Sequence, residues 1–130
     1  MFKLLFLFIS LNSSDSMKTD NFQLCEFKHE MIKEKNCTSL PLENVFIFSE
    51  TSITQITPNR TSFYKIDSVS YNNNELIYFI KFENQKYIFF REKNKCVLKM
   101  YYIADKSVQC ATYFSNDIDL DTIKFNDINK

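Results

Sequence analysis

Residues 75–103, ELIYFIKFENQKYIFFREKNKCVLKMYYI, decide the fold expected for this chain of 130 residues. Three runs rich in β-branched and aromatic residues are separated by two polar pairs, Asn84-Gln85 and Lys93-Asn94. Connections this short favour antiparallel hairpins, because a parallel crossover needs about a dozen residues or more. The stretch therefore predicts consecutive strands of an antiparallel meander.

The same pattern extends outward on both sides of this stretch. Further polar breaks at residues 72–74 and 105–106 separate runs of similar composition. The chain contains no glycine, so Asn and Asp at these breaks are expected to take the left-handed conformations of tight turns. The seven predicted strands are Val45–Phe48, Ser52–Thr57, Ser62–Tyr71, Glu75–Glu83, Lys86–Arg91, Lys95–Ile103 and Val108–Phe114.

The middle strands are apolar on both of their faces. In the strand after Glu75, Leu76, Tyr78 and Ile80 alternate with Ile77 and Phe79. A sheet with one buried face would alternate apolar and polar residues. Both faces of the predicted sheet must therefore be covered. Either an N-terminal helix covers one face and a partner subunit or the C-terminal tail the other, or a curved sheet closes around an interior.

The best helix candidate is the segment from Phe22 to Lys35. At 100° per residue its apolar side chains fall on one face: Leu24, Cys25, Phe27, Met31 and Ile32. Asp20 or Asn21 is placed to cap the start, and Pro41 lies beyond the end. The expected class is α+β, mainly β: an N-terminal helix followed by a disulfide-stapled meander of about seven strands, curved or forming a partial barrel.

Residues 1–16 have the pattern of an export signal. Lys3 precedes an apolar run over residues 4–11, and Ser14 and Ser16 occupy the small-residue positions of a cleavage site. The apolar run is too short to span a bilayer, which needs about 20 residues. We expect a signal peptide over residues 1–16, a single domain over residues 17–130, and a secreted, extracellular protein without a membrane anchor.

Four cysteines suit an exported chain with disulfide bonds: Cys25, Cys37, Cys96 and Cys110. A helix between Cys25 and Cys37 would hold them about 18 Å apart, which is too far for a disulfide. We therefore expect each of these two cysteines to bond to Cys96 or Cys110. Such bonds would join the helical segment to the last two strands.

Two sequons predict N-glycosylation at Asn36 and Asn59. They read Asn36-Cys37-Thr38 and Asn59-Arg60-Thr61. Pro58 and Asn59 are expected to end a strand and to place the second sequon on a turn. Both sites suit a secreted glycoprotein.

Several chemistries are excluded by residues that the chain lacks. Without glycine, the phosphate-binding loop, the dinucleotide fingerprint and the nucleophile elbow cannot exist in their usual form. The single histidine, His29, is followed by Lys33 where a zinc motif needs a second histidine, and it is expected to be solvated. Sixteen basic residues balance sixteen acidic ones, so nucleic acid is not an expected partner. We expect no catalytic residues, no cofactor and no metal.

The expected function is non-enzymatic binding of an unknown protein or a small hydrophobic ligand. A helix followed by an up-and-down meander resembles the layout of lipocalins, which implies a barrel-like cavity for a small ligand. The lipocalin Gly-x-Trp motif is absent, because the chain has neither residue. A helix against an antiparallel sheet is also similar in layout to cystatins, which implies a secreted enzyme inhibitor, although their Gln-x-Val-x-Gly loop is absent. The binding module, the carrier and the inhibitor remain open at this point.

Overall fold

Eight antiparallel strands close into a barrel in the computed structural model, which describes residues 15–27, 35–92, 94–104 and 107–126. Each strand pairs with the next along the chain, and the last returns to pair with the first. The strands are β1 (Asp15–Phe27), β2 (Lys35–Phe48), β3 (Ser52–Thr57), β4 (Arg60–Asn72), β5 (Glu75–Phe82), β6 (Gln85–Glu92), β7 (Val97–Ile103) and β8 (Val108–Phe114). A 3-10 helix at Leu120–Thr122 follows them. No helix among the described residues has the length and apolar character needed to cross a membrane.

The predicted N-terminal helix is wrong. Residues 22–27 belong to β1, Lys35 begins β2, and residues 28–34, including His29, lie outside the described part of the chain. The predicted class is corrected accordingly, because an all-β barrel of eight strands replaces a helix with about seven. The expected meander is confirmed, and its strands are close to the predicted bounds from Val45 onward.

Backbone pairing on both edges explains why this segment is a strand. From Asn21 to Phe27, β1 pairs with β2 on one side and with β8 on the other. Phe22 packs against the interior, whereas Cys25 and Phe27 are buried on the outer face. Because both faces are covered, apolar residues do not alternate with polar ones, and their spacing imitates one face of a helix.

The tight turns use residues other than glycine. Asn73, Glu83 and Asn84 have φ values of 56°, 50° and 66°, in the left-handed region. Asn tolerates this region because its short polar side chain bonds to nearby backbone groups. The expectation that Asn replaces glycine at these hairpins is confirmed for Asn73 and Asn84.

Large side chains fill the middle of the barrel. The buried interior cluster consists of Met17, Phe46, Phe48, Ile53, Tyr64, Tyr78, Ile80, Phe89, Leu98, Met100 and Tyr113. Ring contacts cross it, with centroids 5.8 Å apart for Phe48 and Tyr78 and 5.1 Å apart for Tyr64 and Phe89. An eight-stranded barrel is just wide enough for side chains to fill it or to hold one small ligand. Closure of the sheet into a barrel thus buries its inner face.

The C-terminal segment covers part of the outer face. Phe125 packs on a second buried cluster, formed by Cys25, Phe27, Phe90, Tyr101, Val108 and Cys110. The ring centroids of Phe27 and Phe125 are 4.9 Å apart. Lys99 Nζ donates to the carbonyl of Lys124 at 2.7 Å, and the amide of Asn126 donates to the Tyr101 hydroxyl at 2.7 Å. The tail therefore covers the part of the outer face formed by this second cluster.

The predicted disulfide pairing is also wrong. Cys25 and Cys37 are direct partners in the β1–β2 ladder and form a disulfide with a Cα–Cα distance of 4.1 Å. Cys96 and Cys110 are free thiols, exposed and buried respectively. The error follows from the helix, because a strand hairpin brings together two cysteines that a helix would hold apart.

We expect the two free cysteines to differ strongly in reactivity towards N-ethylmaleimide. Burial raises the pKa of the Cys110 thiol to about 11, so little of the reactive thiolate exists at neutral pH. Mass spectrometry of the native protein should show Cys96 modified at least about tenfold faster than Cys110, since accessible thiolates react first. In denaturant the two rates should converge, and labelling of Cys37 before reduction would contradict the disulfide assignment.

Candidate ligand-binding site

Partly exposed apolar side chains line one end of the barrel. This end carries the β1–β2, β3–β4, β5–β6 and β7–β8 turns. We call its inward-facing lining the cup. It consists of Phe22, Leu24, Leu40, Leu42, Phe82, Tyr87, Tyr102 and Ala111, which are half-buried apart from Leu24 at 38% and Leu40 at 43% exposure. Four of these pack directly on the interior cluster: Phe22, Phe82, Tyr87 and Ala111.

Strand register places the remaining residues of the cup on the inner face. Side chains of directly paired residues project to the same side of a sheet. Leu24 is paired with Ala111, Leu40 with Phe22, and Tyr102 with Tyr87. The centroids of the Tyr87 and Tyr102 rings are 5.2 Å apart.

At the opposite end of the barrel an ion pair lies over an aromatic ring. The guanidinium of Arg91 is 3.9 Å from the centroid of the Phe48 ring, and Arg91 Nη2 is 2.6 Å from an oxygen of Asp15. A guanidinium in this position gains from both the ring face and the carboxylate.

Hydrogen-bonded polar side chains form the floor of the cup. Gln55 Nε2 donates to Asn44 Oδ1 at 2.9 Å and to the Tyr113 hydroxyl at 3.1 Å, and Gln55 Oε1 accepts from the Tyr64 hydroxyl at 3.0 Å. These four side chains come from β2, β3, β4 and β8 and are all buried. We call them the floor network.

Both tyrosines of the floor network remain protonated at neutral pH. Burial raises the pKa of Tyr113 to about 12, and burial also raises the pKa of Tyr64 above its usual value. Their hydroxyl groups therefore act as hydrogen-bond donors and carry no negative charge.

A buried hydroxyl beside the floor network has no partner. Thr19 pairs with Asn44 across β1 and β2, is 0% exposed, and its Oγ1 makes no hydrogen bond. Such a group costs about 1–3 kcal/mol relative to one that is satisfied. The interior thus contains unused hydrogen-bonding capacity close to its polar layer.

Among the described residues, the polar layer of the interior contains no charged side chain. It consists of Thr19, Asn44, Gln55 and the hydroxyl groups of Tyr64 and Tyr113. The buried Lys99 lies on the outer face, where its Nζ is 3.4 Å from an oxygen of Glu75. Within the same described ranges, no cluster of three or more His, Cys, Asp or Glu is arranged to hold a metal ion.

A second concavity lies outside the barrel, beneath the C-terminal tail. It has a volume of about 310 Å³ and is lined by the β4–β5 turn, by Glu92 and Lys95, and by tail residues from Thr122 to Asn126. Four of its charged side chains are paired with each other, Lys99 with Glu75 and Lys95 with Glu92. The cup is therefore the stronger candidate for a ligand.

The predicted modification sites are accessible where they are described. Asn36 and Asn59 are both exposed, Asn36 on β2 and Asn59 in the β3–β4 turn as expected. Glycosylation of either residue stays a prediction. Asp15 and Ser16, the last two residues of the expected signal peptide, belong to β1.

No protein-family model matches the chain, and no curated protein is significantly similar to it. The site is therefore interpreted from its own geometry. The sequence did not predict a site role for any residue of the floor network. The one available signal was the run Ile53-Thr54-Gln55-Ile56-Thr57, in which polar and apolar residues occur on both faces of a strand.

We expect Thr19→Val to stabilise the ligand-free protein. The change keeps the shape of the side chain and removes a hydroxyl that no group satisfies, so the free energy of unfolding should rise by about 1 kcal/mol. Urea unfolding followed by circular dichroism measures the change.

Thr112→Val is the matched control for this prediction. Thr112 is as deeply buried, but its hydroxyl contacts Cys110 Sγ at 3.6 Å. This variant should be neutral or slightly destabilising. Equal effects of the two substitutions would contradict the assignment of Thr19 as the unsatisfied group.

Proposed function

We propose that this chain is a secreted, non-enzymatic binding protein that carries a small, largely apolar ligand in the cup. The observation that carries the proposal is a barrel end at which apolar and aromatic side chains remain partly exposed above a buried polar floor. Small-ligand sites are typically concave and apolar, with a few placed polar groups that orient the ligand. The mouths of β-barrels are among their preferred positions.

The barrel topology supports the carrier interpretation. Eight strands in sequence order, each antiparallel to its neighbours, form an up-and-down barrel of the lipocalin kind. Secretion is supported by the Cys25–Cys37 disulfide, which suits an oxidising compartment, and by two exposed sequons. The carrier thus accounts for more of the described features than a cystatin-like inhibitor, whose layout required the helix.

A protein-binding surface on the outer wall is the second candidate. Ile47 and Phe63 are both direct partners of Thr54 and lie on either side of it on the outer face, 36% and 65% exposed. Exposed aromatic and aliphatic side chains of this kind are common in protein interfaces. Two such residues form a small patch, so the cup remains the preferred site.

Filling the cup should abolish binding of a neutral fluorescent probe, N-phenylnaphthylamine. Ala111→Trp places an indole beside Phe22 and Leu24, and we expect the probe affinity to fall at least about tenfold because the bulky ring occupies the apolar contact area. Probe fluorescence in a titration measures the affinity. Leu24→Trp, at the exposed rim, should act in the same direction with less risk to folding.

Lys65→Trp is the matched control, because Lys65 is exposed on the outer wall. It should leave the probe affinity unchanged. If the wild-type protein does not bind the probe, or if Lys65→Trp reduces binding as much as Ala111→Trp, the cup is not the binding site. Circular dichroism spectra that match the wild-type spectrum establish that all three variants are folded.

A further inference from the structure

Building on the proposed function, we propose that the ligand of the cup is uncharged and that its deep end carries an oxygen that accepts a hydrogen bond from Tyr113. The rest of the ligand would be an apolar ring or short chain against the aromatic wall. Ketones, esters and amides of small aromatic compounds belong to this class.

The floor network leaves one well-placed donor unused. Both N–H groups of Gln55 are engaged, with Asn44 and Tyr113, and its carbonyl oxygen accepts from Tyr64. The Tyr113 hydroxyl accepts from Gln55, but no described group accepts its proton. A phenolic hydroxyl both donates and accepts, so half of the capacity of Tyr113 is free.

Tyr64 differs from Tyr113 in this respect. Its hydroxyl donates its proton to Gln55 Oε1 at 3.0 Å. Tyr64 therefore has no proton left for a ligand. The two tyrosines lie in one network with the same chemistry, and only Tyr113 retains a proton to donate.

Tyr113 also lies next to the cup. The Tyr113 ring centroid is 5.1 Å from that of Phe22, which lines the cup. Tyr113 and Gln55 each keep 8% of their surface exposed, whereas Phe46 and Phe89 in the same interior are 0% exposed. A ligand that contacts Phe22 would therefore lie beside Tyr113.

The surroundings favour an uncharged ligand. Among the described residues, Arg60 at the start of β4 influences Tyr64, and Glu83 in the β5–β6 turn influences Tyr87; both are exposed and they have opposite signs. Arg91 is engaged with Asp15 at the opposite end of the barrel. A carboxylate or ammonium in the cup would lose its hydration without a described counter-ion, which costs far more than one neutral hydrogen bond returns.

The wall of the cup selects for a flat apolar group. Ring centroids are 5.1 Å apart for Tyr64 and Phe82, 6.1 Å for Phe82 and Tyr87, and 5.2 Å for Tyr87 and Tyr102. Aromatic surfaces at this spacing offer edge and face contacts to a further ring. The wall would supply contact area, and Tyr113 would orient the polar end.

Four single-ring probes of similar size test the ligand class: acetophenone, ethylbenzene, benzoate and benzylamine. Their dissociation constants for the full chain are measured by following amide chemical shifts in titrations. We expect acetophenone to bind about fivefold to tenfold more tightly than ethylbenzene, as for one neutral hydrogen bond. Benzoate and benzylamine should bind at least tenfold more weakly than acetophenone, since their charges would be desolvated.

Two tyrosine variants make the test specific to Tyr113. Tyr113→Phe should remove the preference for acetophenone over ethylbenzene and leave ethylbenzene binding within twofold. Tyr64→Phe should retain the preference, although it also removes one hydroxyl from the network. Thermal unfolding shows whether either variant is folded at the titration temperature.

Each pattern of binding has a distinct meaning. If none of the four probes binds, the proposed function fails. If they bind at the cup but benzoate or benzylamine equals acetophenone, or if Tyr113→Phe keeps the preference, the inference about ligand class is overturned while the carrier function stands. If acetophenone changes the chemical shifts of outer-wall amides only, both the carrier function and the inferred ligand class are wrong.

Discussion

Pairing of β8 with β1 is the interaction on which the rest of this structure depends. Seven residue pairs, from Asn21–Phe114 to Phe27–Val108, join the two ends of the meander and remove both edges of the sheet there. Closure surrounds the interior cluster on all sides. It also places Cys25 and Phe27 beside Cys110 and Val108, where the C-terminal tail covers them.

Closure has an energetic consequence inside the barrel. Inward-facing side chains lose water whether they are apolar or polar, so a polar group there must find a partner or be tolerated at a cost. Gln55 is well satisfied, with three hydrogen bonds from one side chain, and Thr19 is not satisfied at all. A fully apolar interior would avoid that cost. This polar layer lies between the packed interior and the half-buried cup. That position is consistent with a role in ligand binding.

The strands after Val45 were predictable because their determinants are local. β-branched and aromatic runs specify extended backbone, and Asn-rich breaks such as Asn72-Asn73-Asn74 specify tight turns between them. β1 was not predictable in the same way. Phe22 and Leu24 face the interior and Cys25 and Phe27 the outer wall, and all four pair with residues about 85 positions away in β8. The local sequence carries no information about those partners. The helix and the incorrect disulfide pairing share this single cause.

The candidate site was less predictable than the fold. Its members are ordinary strand residues, and Asn44, Gln55, Tyr64 and Tyr113 are widely separated along the chain. Their hydrogen bonds arise because β2, β3 and β4 lie side by side and closure brings β8 opposite them. Residue type alone does not distinguish Gln55 from the polar neighbours that point to solvent.

The sequence by itself determined the antiparallel meander after Val45, the turns without glycine and the absence of phosphate-binding glycine loops, because each depends on residues adjacent in the chain. Only the tertiary structure decided that β1 is a strand, that Cys25 pairs with Cys37, and that polar side chains meet beneath a half-buried barrel end. These features depend on which distant strands become neighbours, and that is settled when the sheet closes and buries both faces at once.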